Sequence, residues 1–214
     1  MELFGINLTE LLMRIPAMLI VIGFHEACHG YAANALGDPT ARQAGRLTLN
    51  PLAHLDPIGA LCLIFFHFGW AKPVPVNAAN FKRPKLGMAL TALAGPVSNF
   101  VLAFVSLFAF VFCVLQGGGV FNALANFFQI MAVMSLGLGL FNLIPIPPLD
   151  GSKVLWPFLP SRWVNWLARY EVYLSIVLLI GIYFNIFTGP LNTALMWIYS
   201  RYEEIIVRVF ALFW

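Results

Sequence analysis

An uncharged run in the middle of the sequence most constrains what this chain can fold into. From residue 86 to residue 149 the sequence contains no Asp, Glu, Lys or Arg. Within that run, residues 86–116 and 121–144 are each long enough for a helix that crosses about 30 Å of hydrocarbon, which needs about 20 residues. Of the 214 residues, 61% are hydrophobic and 10% are charged, whereas soluble domains carry about 25% charged residues. We therefore expect an all-α polytopic membrane protein, because a soluble chain of this size could not hide so many apolar side chains.

Three further apolar windows predict additional membrane helices, at residues 8–36, 171–187 and 190–214. The last window contains charged side chains, so we expect it to lie partly in the hydrocarbon and partly at the interface. These side chains are Arg201, Glu203, Glu204 and Arg208. Residues 57–70 are apolar but short, and they either cross the membrane or form a re-entrant or interfacial element. The predicted fold therefore has about five to six membrane helices.

The distribution of basic residues favours the re-entrant interpretation of residues 57–70. If this segment does not cross, the Lys and Arg residues between residues 42 and 85 and those between residues 153 and 169 lie on one side of the membrane. The uncharged loop at residues 117–120 then lies on the other side. The positive-inside rule makes the basic side the cytoplasm, which predicts a multi-pass protein of the cell (inner) membrane. The net charge is only +3 and no run of Lys or Arg is long, so we expect no nucleic-acid partner.

Two stretches between the first helix and the uncharged run have patterns typical of extended chain. Residues 43–50 alternate between polar and apolar side chains. Residues 72–77 carry prolines at alternate positions, Pro73 and Pro75, which exclude both a helix and a central strand. An edge strand or a polyproline-like segment remains. We therefore expect a short extended, β-like segment before the helix of the uncharged run.

The motif that carries chemistry is the H-E-x-x-H pattern at residues 25–29, which reads His-Glu-Ala-Cys-His. On a helix, His25 and His29 lie one turn apart on the same face, so their imidazoles can bind one metal ion. Zinc binds imidazole nitrogen and keeps a position for water in catalytic sites, and Glu26 can take a proton from that water. The alternative is a buried, hydrogen-bonded His/Glu cluster without metal, although such a cluster is costly in an apolar helix unless it is paired or metal-bound.

A catalytic zinc requires a third protein ligand, and Asp150 is the strongest candidate. It follows three prolines that end the preceding helix and break the backbone at membrane depth. These prolines are Pro145, Pro147 and Pro148. Broken backbone of this kind is tolerated where it is buried in protein or lines a polar cavity, and Gly151 permits a tight turn after the carboxylate. Alternatively, Asp150 is the N-cap of a helix at residues 152–159.

These motifs together resemble the site-2 protease family of intramembrane zinc metalloproteases (peptidase family M50). The resemblance is carried by H-E-x-x-H on a membrane helix and by Asn-Leu-Ile-Pro-Ile-Pro-Pro-Leu-Asp-Gly at residues 142–151. Further stretches are similar to the small prokaryotic branch, which lacks a PDZ domain; they lie at residues 45–51, 54–57, 70–77 and 94–99. The resemblance covers about residues 20–160.

The resemblance implies one integral-membrane metalloprotease domain over residues 1–214. Its catalytic core would occupy about residues 8–160, and its C-terminal helices about residues 170–214. The implied reaction is hydrolysis of peptide bonds in membrane-spanning segments of substrate proteins, with the active site toward the cytoplasm. A catalytically silent metal-binding membrane scaffold and a metal transporter are the alternatives. Glu26 favours hydrolysis, because a pure binding site has little need of it.

The resemblance also implies a role for each matching residue. His25, His29 and Asp150 would hold one Zn²⁺, and Glu26 would be the general base and later the acid. This set requires a carboxylate from far along the chain to meet two imidazoles on the first helix.

Four other residues carry alternative interpretations. Asn142 and Asn99 would line the site and donate hydrogen bonds to a tetrahedral oxyanion, or would only hold helices together. His54 is either a competing zinc ligand in a resting state or a structural histidine. Cys28 is either a thiolate ligand or a small packing residue.

Overall fold

The computed structural model describes residues 2–3, 6–54, 56 and 72–212, with side chains from residue 12 onward. Near the start of the sequence, two strands of two residues each, β1 (Glu2–Leu3) and β2 (Ile6–Asn7), pair in antiparallel orientation. The rest of the regular structure is helical. The α-helices are α1 (Leu8–Ala35), α2 (Thr40–Gln43), α3 (Pro84–Gln116), α4 (Gly119–Asn142), α5 (Asp150–Val154), α6 (Ser161–Arg169), α7 (Glu171–Tyr183) and α8 (Thr188–Ala211). Single 3-10 turns occur at Pro51–His54, Ala78–Asn80 and Trp156–Phe158.

Helices α1, α3 and α4 pack against one another, with α3 in contact with both others. The buried surface of α3 consists largely of small residues. Helices in lipid associate this way, because close approach of their backbones provides van der Waals contact that lipid cannot match. The buried small residues of α3 include Gly87, Ala92, Gly95, Ser98 and Ala103.

The outer surface of α3 carries large apolar side chains at helical spacing. Val97, Val101 and Val105 are 48%, 56% and 56% exposed. A soluble helix would bury such a row against a core, whereas a helix solvated by hydrocarbon exposes it at no cost. This inverted arrangement is typical of a membrane protein.

Helix α8 and the short helix α5 complete the packing around α3. The side chain of Ile206 on α8 is fully buried between Leu107 of α3 and Ala132 of α4. Helix α5 also packs against α3. Helix α3 therefore contacts α1, α4, α5 and α8.

Three helices are long and apolar enough to cross a membrane: α3, α4 and the part of α1 from Leu12 to Ala35. A fourth candidate span exists if α6 and α7, which are bent by 68° relative to each other, count as one. Helix α8 does not qualify, and charged residues occupy its second half. The described residues therefore hold three or four candidate spans and do not confirm the predicted five to six.

The prediction for residues 57–70 lies outside the described residues, but the chain on both sides is described. The Lys72 N–H donates a hydrogen bond of 2.9 Å to the His54 carbonyl. The Arg46 guanidinium donates to the carbonyls of Ala53 and Lys72, at 2.6 Å each. His54 and Lys72 therefore lie beside each other in the fold.

The predicted β-like segment is not confirmed. Residues 44–50 and 72–77 form turns and irregular chain, without strand pairing among the described residues. Their side chains pack on α1 instead. A Cβ placed on Gly30 of α1 would lie 3.0 Å from Leu47 Cδ2 and 3.2 Å from Val74 Cγ1. Residues 72–77 are thus held beside the helix that carries H-E-x-x-H.

Asp38, just beyond α1, ties the end of that helix to the same segment. Its buried carboxylate accepts hydrogen bonds from the backbone and hydroxyl of Thr40, from the Asn77 N–H at 2.7 Å and from Asn80 Nδ2 at 2.6 Å. Burial acts to raise the pKa of Asp38, but these hydrogen bonds outweigh it and hold the pKa below its ordinary value. The ionised carboxylate therefore anchors residues 77–80 to α1.

Candidate metal centre

Two elements that are far apart in sequence meet at the candidate metal centre. Helix α1 supplies His25 and His29, and helix α5 begins at Asp150. The two Nε2 atoms lie 3.0 Å apart, and each lies 3.1 Å from Asp150 Oδ2. Within the described part of the chain, these residues form the one group of three or more side chains that could hold a metal ion.

The three atoms form a nearly equilateral triangle whose size fits zinc. Tetrahedral bonds of about 2.0–2.1 Å place neighbouring ligand atoms about 3.3 Å apart, close to the separations between the three atoms. Two imidazole nitrogens and one carboxylate oxygen are donors that zinc accepts, and three protein ligands leave a position for water. His25 is 4% exposed and His29 is 8% exposed, so the donors converge in a protected site.

Both imidazoles are contacted through Nδ1 by helix α3. His29 Nδ1–H donates to the Thr91 carbonyl at 2.7 Å. His25 Nδ1 lies 3.1 Å from the side-chain amide of Asn99. A proton on Nδ1 leaves the Nε2 lone pair available to a metal, so the partner of Nδ1 decides whether each ring can be a ligand.

Two glycines permit the close packing that builds the site. A Cβ on Gly95 of α3 would overlap both imidazoles, and a Cβ on Gly151 would overlap the backbone of Leu143 and Ile144. The prediction that Gly151 makes a tight turn is wrong, because this residue lies within α5. Close approach of two backbone segments, rather than a turn conformation, requires glycine there.

Asp150 is the first residue of α5, and the N-cap position belongs to Leu149. The alternative that Asp150 caps a helix at residues 152–159 is therefore wrong; its carboxylate turns toward the imidazoles instead. Burial acts to raise the pKa of Asp150, but hydrogen bonds and charge from His25 and His29 outweigh it and hold the pKa well below its usual range. A lowered pKa suits a carboxylate for metal binding, because a metal ligand must be deprotonated.

Glu26 follows His25 on α1 and faces the same cavity. Its Oε2 accepts a hydrogen bond of 2.9 Å from the Val74 N–H. This bond fixes one carboxylate oxygen and connects residues 72–77 directly to the H-E-x-x-H motif.

A cavity of about 620 Å³ adjoins the metal centre. Its lining is mainly apolar. The polar residues of the lining are the three ligands, Glu26, Thr91, Asn142, Lys153 and Ser175. Helix α7 contributes to the wall, so the cavity extends beyond the predicted core of residues 8–160. The lining residues of α7 are Ser175, Leu178, Leu179 and Ile182.

The two predicted asparagines occupy different places. Asn142 lines the cavity. Asn99 is fully buried beside His25, on the Nδ1 side of the ring, and does not line the cavity. Of the two asparagines, the structure therefore places only Asn142 on the cavity.

His54 and Cys28 do not join the ligand triangle in the part of the chain that the structure describes. His54 is 1% exposed, and its Nε2 donates to the Thr48 carbonyl at 2.9 Å. Cys28 is a half-buried free thiol. The geometry thus favours the structural interpretation of both residues.

Sequence reasoning missed several groups that shape the site. The Thr91 carbonyl and the Val74 N–H are backbone groups, and nothing in their residue types indicates the contacts they make. Helix α7 has an apolar sequence that reads the same whether it faces lipid or a cavity. Gly95 was the one available signal, because a glycine inside a long apolar helix often marks close packing.

Known proteins resemble this chain. The sequence model of the family described as Peptidase family M50 matches residues 111–187. "Putative zinc metalloprotease YwhC" of Bacillus subtilis is 40% identical over 192 residues, which cover 87% of this chain and 85% of that protein. "Putative zinc metalloprotease Rip2" of Mycobacterium tuberculosis is 30% identical over 178 residues, which cover 78% of this chain and 65% of that protein. No solved structure matches the chain at a significant level.

Proposed function

Because this chain belongs to peptidase family M50 and is a zinc metalloprotease, we propose that it hydrolyses peptide bonds of membrane-spanning protein segments within the bilayer. The observation that carries the proposal is the position of the ligand triangle. Two of its three corners lie on α1, a helix long and apolar enough to cross a membrane. A substrate segment that lies in the hydrocarbon can reach a metal centre at that position.

His25, His29 and Asp150 would hold one Zn²⁺ through Nε2, Nε2 and Oδ2. When bound, the metal supplies Lewis acidity and lowers the pKa of its water to about 7. The protein residues then have three tasks: to hold the ligands in place, to move a proton and to stabilise charge on the substrate oxygen.

Glu26 is the proposed general base. Its position next to a ligand on α1 and its place in the cavity lining support this role. The Val74 N–H occupies Oε2, which orients the carboxylate and leaves Oε1 to accept the proton of the water. Glu26 then returns this proton to the amine of the leaving peptide.

Asn142 is the proposed donor to the oxyanion. This residue lines the same cavity as Glu26. Its Nδ2 donates one hydrogen bond of 3.0 Å to the Leu138 carbonyl and carries a second N–H, and an amide N–H aimed at the developing negative charge lowers the barrier. Asn99 is assigned no such role, because it lies on the Nδ1 side of His25 and outside the cavity lining.

The active site is proposed to open toward the cytoplasmic side of the cell membrane. The pairing of His54 with Lys72 and of Arg46 with Lys72 supports this orientation, because it keeps the basic residues before α3 together. Lys85 Nζ donates to the Leu159 carbonyl at 2.7 Å. That bond places the start of α3 on the same side as the chain that follows α5.

The whole chain is proposed to act as one domain. The ligands come from α1 and α5, the Nδ1 contacts come from α3, and part of the cavity wall comes from α7. A division into a core and independent C-terminal helices would therefore cut through the cavity.

The proposal predicts separate effects of Glu26→Gln on zinc binding and on cleavage. The purified protein in lipid vesicles is given a single-span protein substrate, and both cleavage rate and bound zinc are measured. We expect cleavage by Glu26→Gln to fall by about 10²–10⁴-fold while zinc content stays at one per chain. Glu203→Gln, which changes an exposed carboxylate on α8, is the matched control and should behave as wild type.

Each other outcome contradicts part of the proposal. Full activity of Glu26→Gln would contradict the proposal that Glu26 is the general base. A wild-type protein that binds zinc but cleaves nothing would favour a silent metal-binding scaffold, and zinc uptake into the vesicles would favour a transporter.

A further inference from the structure

We propose that Asn99 is a positioning residue for the metal centre: its amide oxygen accepts the Nδ1–H of His25 and so leaves His25 Nε2 free to bind Zn²⁺. The inference rests on the proposed ligand set of His25, His29 and Asp150. It replaces the expectation that Asn99 donates to an oxyanion, and it assigns the residue an acceptor role in place of a donor role.

The burial of Asn99 is the first observation behind this inference. Its side chain is fully buried, and Nδ2 is the amide atom placed 3.1 Å from His25 Nδ1. The amide oxygen Oδ1 has no hydrogen-bond partner in the described part of the structure. A buried amide oxygen without a partner is unfavourable, and turning the amide so that Oδ1 meets the His25 Nδ1–H gives that oxygen one.

The chemistry of imidazole determines which amide atom must face the ring. A neutral imidazole has one N–H and one lone pair. If Nε2 is to bind a metal, the proton must be on Nδ1, and a buried Nδ1–H requires an acceptor. A half-turn about the Cβ–Cγ bond of Asn99 exchanges its amide oxygen and nitrogen, which occupy nearly interchangeable positions. The proposed arrangement therefore has Oδ1, rather than Nδ2, against His25 Nδ1–H.

His29 shows the same arrangement with a different acceptor. Its Nδ1–H donates to the Thr91 carbonyl, and Thr91 lies two helical turns before Asn99 on α3. One helix thus orients both imidazoles, once with a backbone carbonyl and once with a side chain. Substitution can remove the side-chain contact of Asn99 but not the backbone carbonyl of Thr91. The orientation of the imidazoles by α3 can therefore be tested at Asn99.

Contacts from helix α4 hold Asn99 in place. The Ser135 hydroxyl donates to the backbone carbonyl of Asn99 at 2.9 Å. A Cβ on Gly139 would lie 3.3 Å from Asn99 Cβ, so α4 approaches closely at this level. The packing of α3 against α4 therefore restricts where the amide can point.

The test compares Asn99→Leu with Asn99→Asp by zinc affinity, measured by competition with a chelator on the purified full-length protein. Leucine is of similar size but cannot accept a hydrogen bond, so zinc should bind about 10- to 100-fold more weakly. Aspartate accepts but cannot donate, and carboxylate–histidine–zinc arrangements are common, so zinc affinity should stay within a few-fold of wild type. Cleavage should follow zinc occupancy in both variants.

The donor role predicts a different result for cleavage by Asn99→Asp, and that result would overturn the inference. An oxyanion donor is lost in Asn99→Asp, which would then bind zinc normally and cleave poorly. Asn99→Leu with wild-type zinc affinity, or Asn99→Asp with the same loss of zinc as Asn99→Leu, would overturn the inference.

Two controls keep these outcomes apart from misfolding and from failure of the ligand set. Ser106→Ala removes a different buried polar group of α3, a hydroxyl that donates to the Leu102 carbonyl. The zinc affinity of this variant should equal that of wild type. Thermal midpoints in excess chelator compare the folds without metal. His25→Ala should abolish zinc binding; if it retains zinc, the ligand set is wrong and the inference falls with it.

Discussion

The two walls of the cavity are built differently. The wall that carries the metal centre belongs to α1, α3 and α5, which pack tightly and hold their polar groups in hydrogen bonds. The wall formed by α7 makes few contacts with the rest of the described bundle and is mostly apolar. Its residues differ widely in exposure: Leu178, which lines the cavity, is 5% exposed, whereas Val177 is 58% exposed.

The difference separates two tasks that one active site must perform. The ligands must keep a separation of about 3 Å, which requires the fixed packing around Gly95 and Gly151. A membrane-spanning substrate must also reach the cavity, and a wall with few contacts is the cheaper one to displace. Substitutions on the first wall should therefore affect zinc, and substitutions on the second should affect substrate.

Gly95→Ala should have the largest effect, because the added Cβ would overlap both imidazoles. We expect zinc affinity to fall by about 100-fold or more, with cleavage lost in proportion. Gly137→Ala is the matched control on α4: a Cβ there would meet only Leu195 Cδ1, at 3.9 Å. Chelator competition measures both variants, and wild-type zinc affinity in Gly95→Ala would break the claim that α3 sets the ligand geometry.

Leu178→Ala on α7 should have a much smaller effect, and a different one. Truncation removes apolar contact with substrate without touching a ligand, so KM should rise about threefold to tenfold while zinc affinity stays unchanged. Ile180→Ala changes a neighbour that is 51% exposed and lies outside the cavity lining, and it should match wild type. Loss of zinc in Leu178→Ala would show that the two walls are not separate in function.

The same contrast explains how much of the site was predictable from sequence. His25, Glu26 and His29 follow from spacing, because one helical turn puts both imidazoles on one face. Asp150 follows from a carboxylate after a proline-broken helix in an otherwise uncharged run. These residues are rare types in an apolar sequence, so each carries a strong signal.

What remained hidden depends on long-range packing. The orientation of His29 depends on the Thr91 carbonyl, and every residue type supplies such a group. The side of His25 on which Asn99 lies depends on how α3 rotates against α1, which no local pattern encodes. Helix α7, at 13 residues, is shorter than a full span, and its bend relative to α6 was not predicted.

The central claim is that His25, His29 and Asp150 together bind the catalytic zinc, and X-ray absorption at the zinc edge tests it most directly. For the purified protein with one equivalent of zinc, the account predicts only nitrogen and oxygen neighbours at about 2.0–2.1 Å, including two imidazoles. Asp150→Asn should keep the imidazole signal while zinc binds more weakly. A sulfur neighbour at about 2.3 Å, which Cys28 would supply, or a single imidazole would contradict the account.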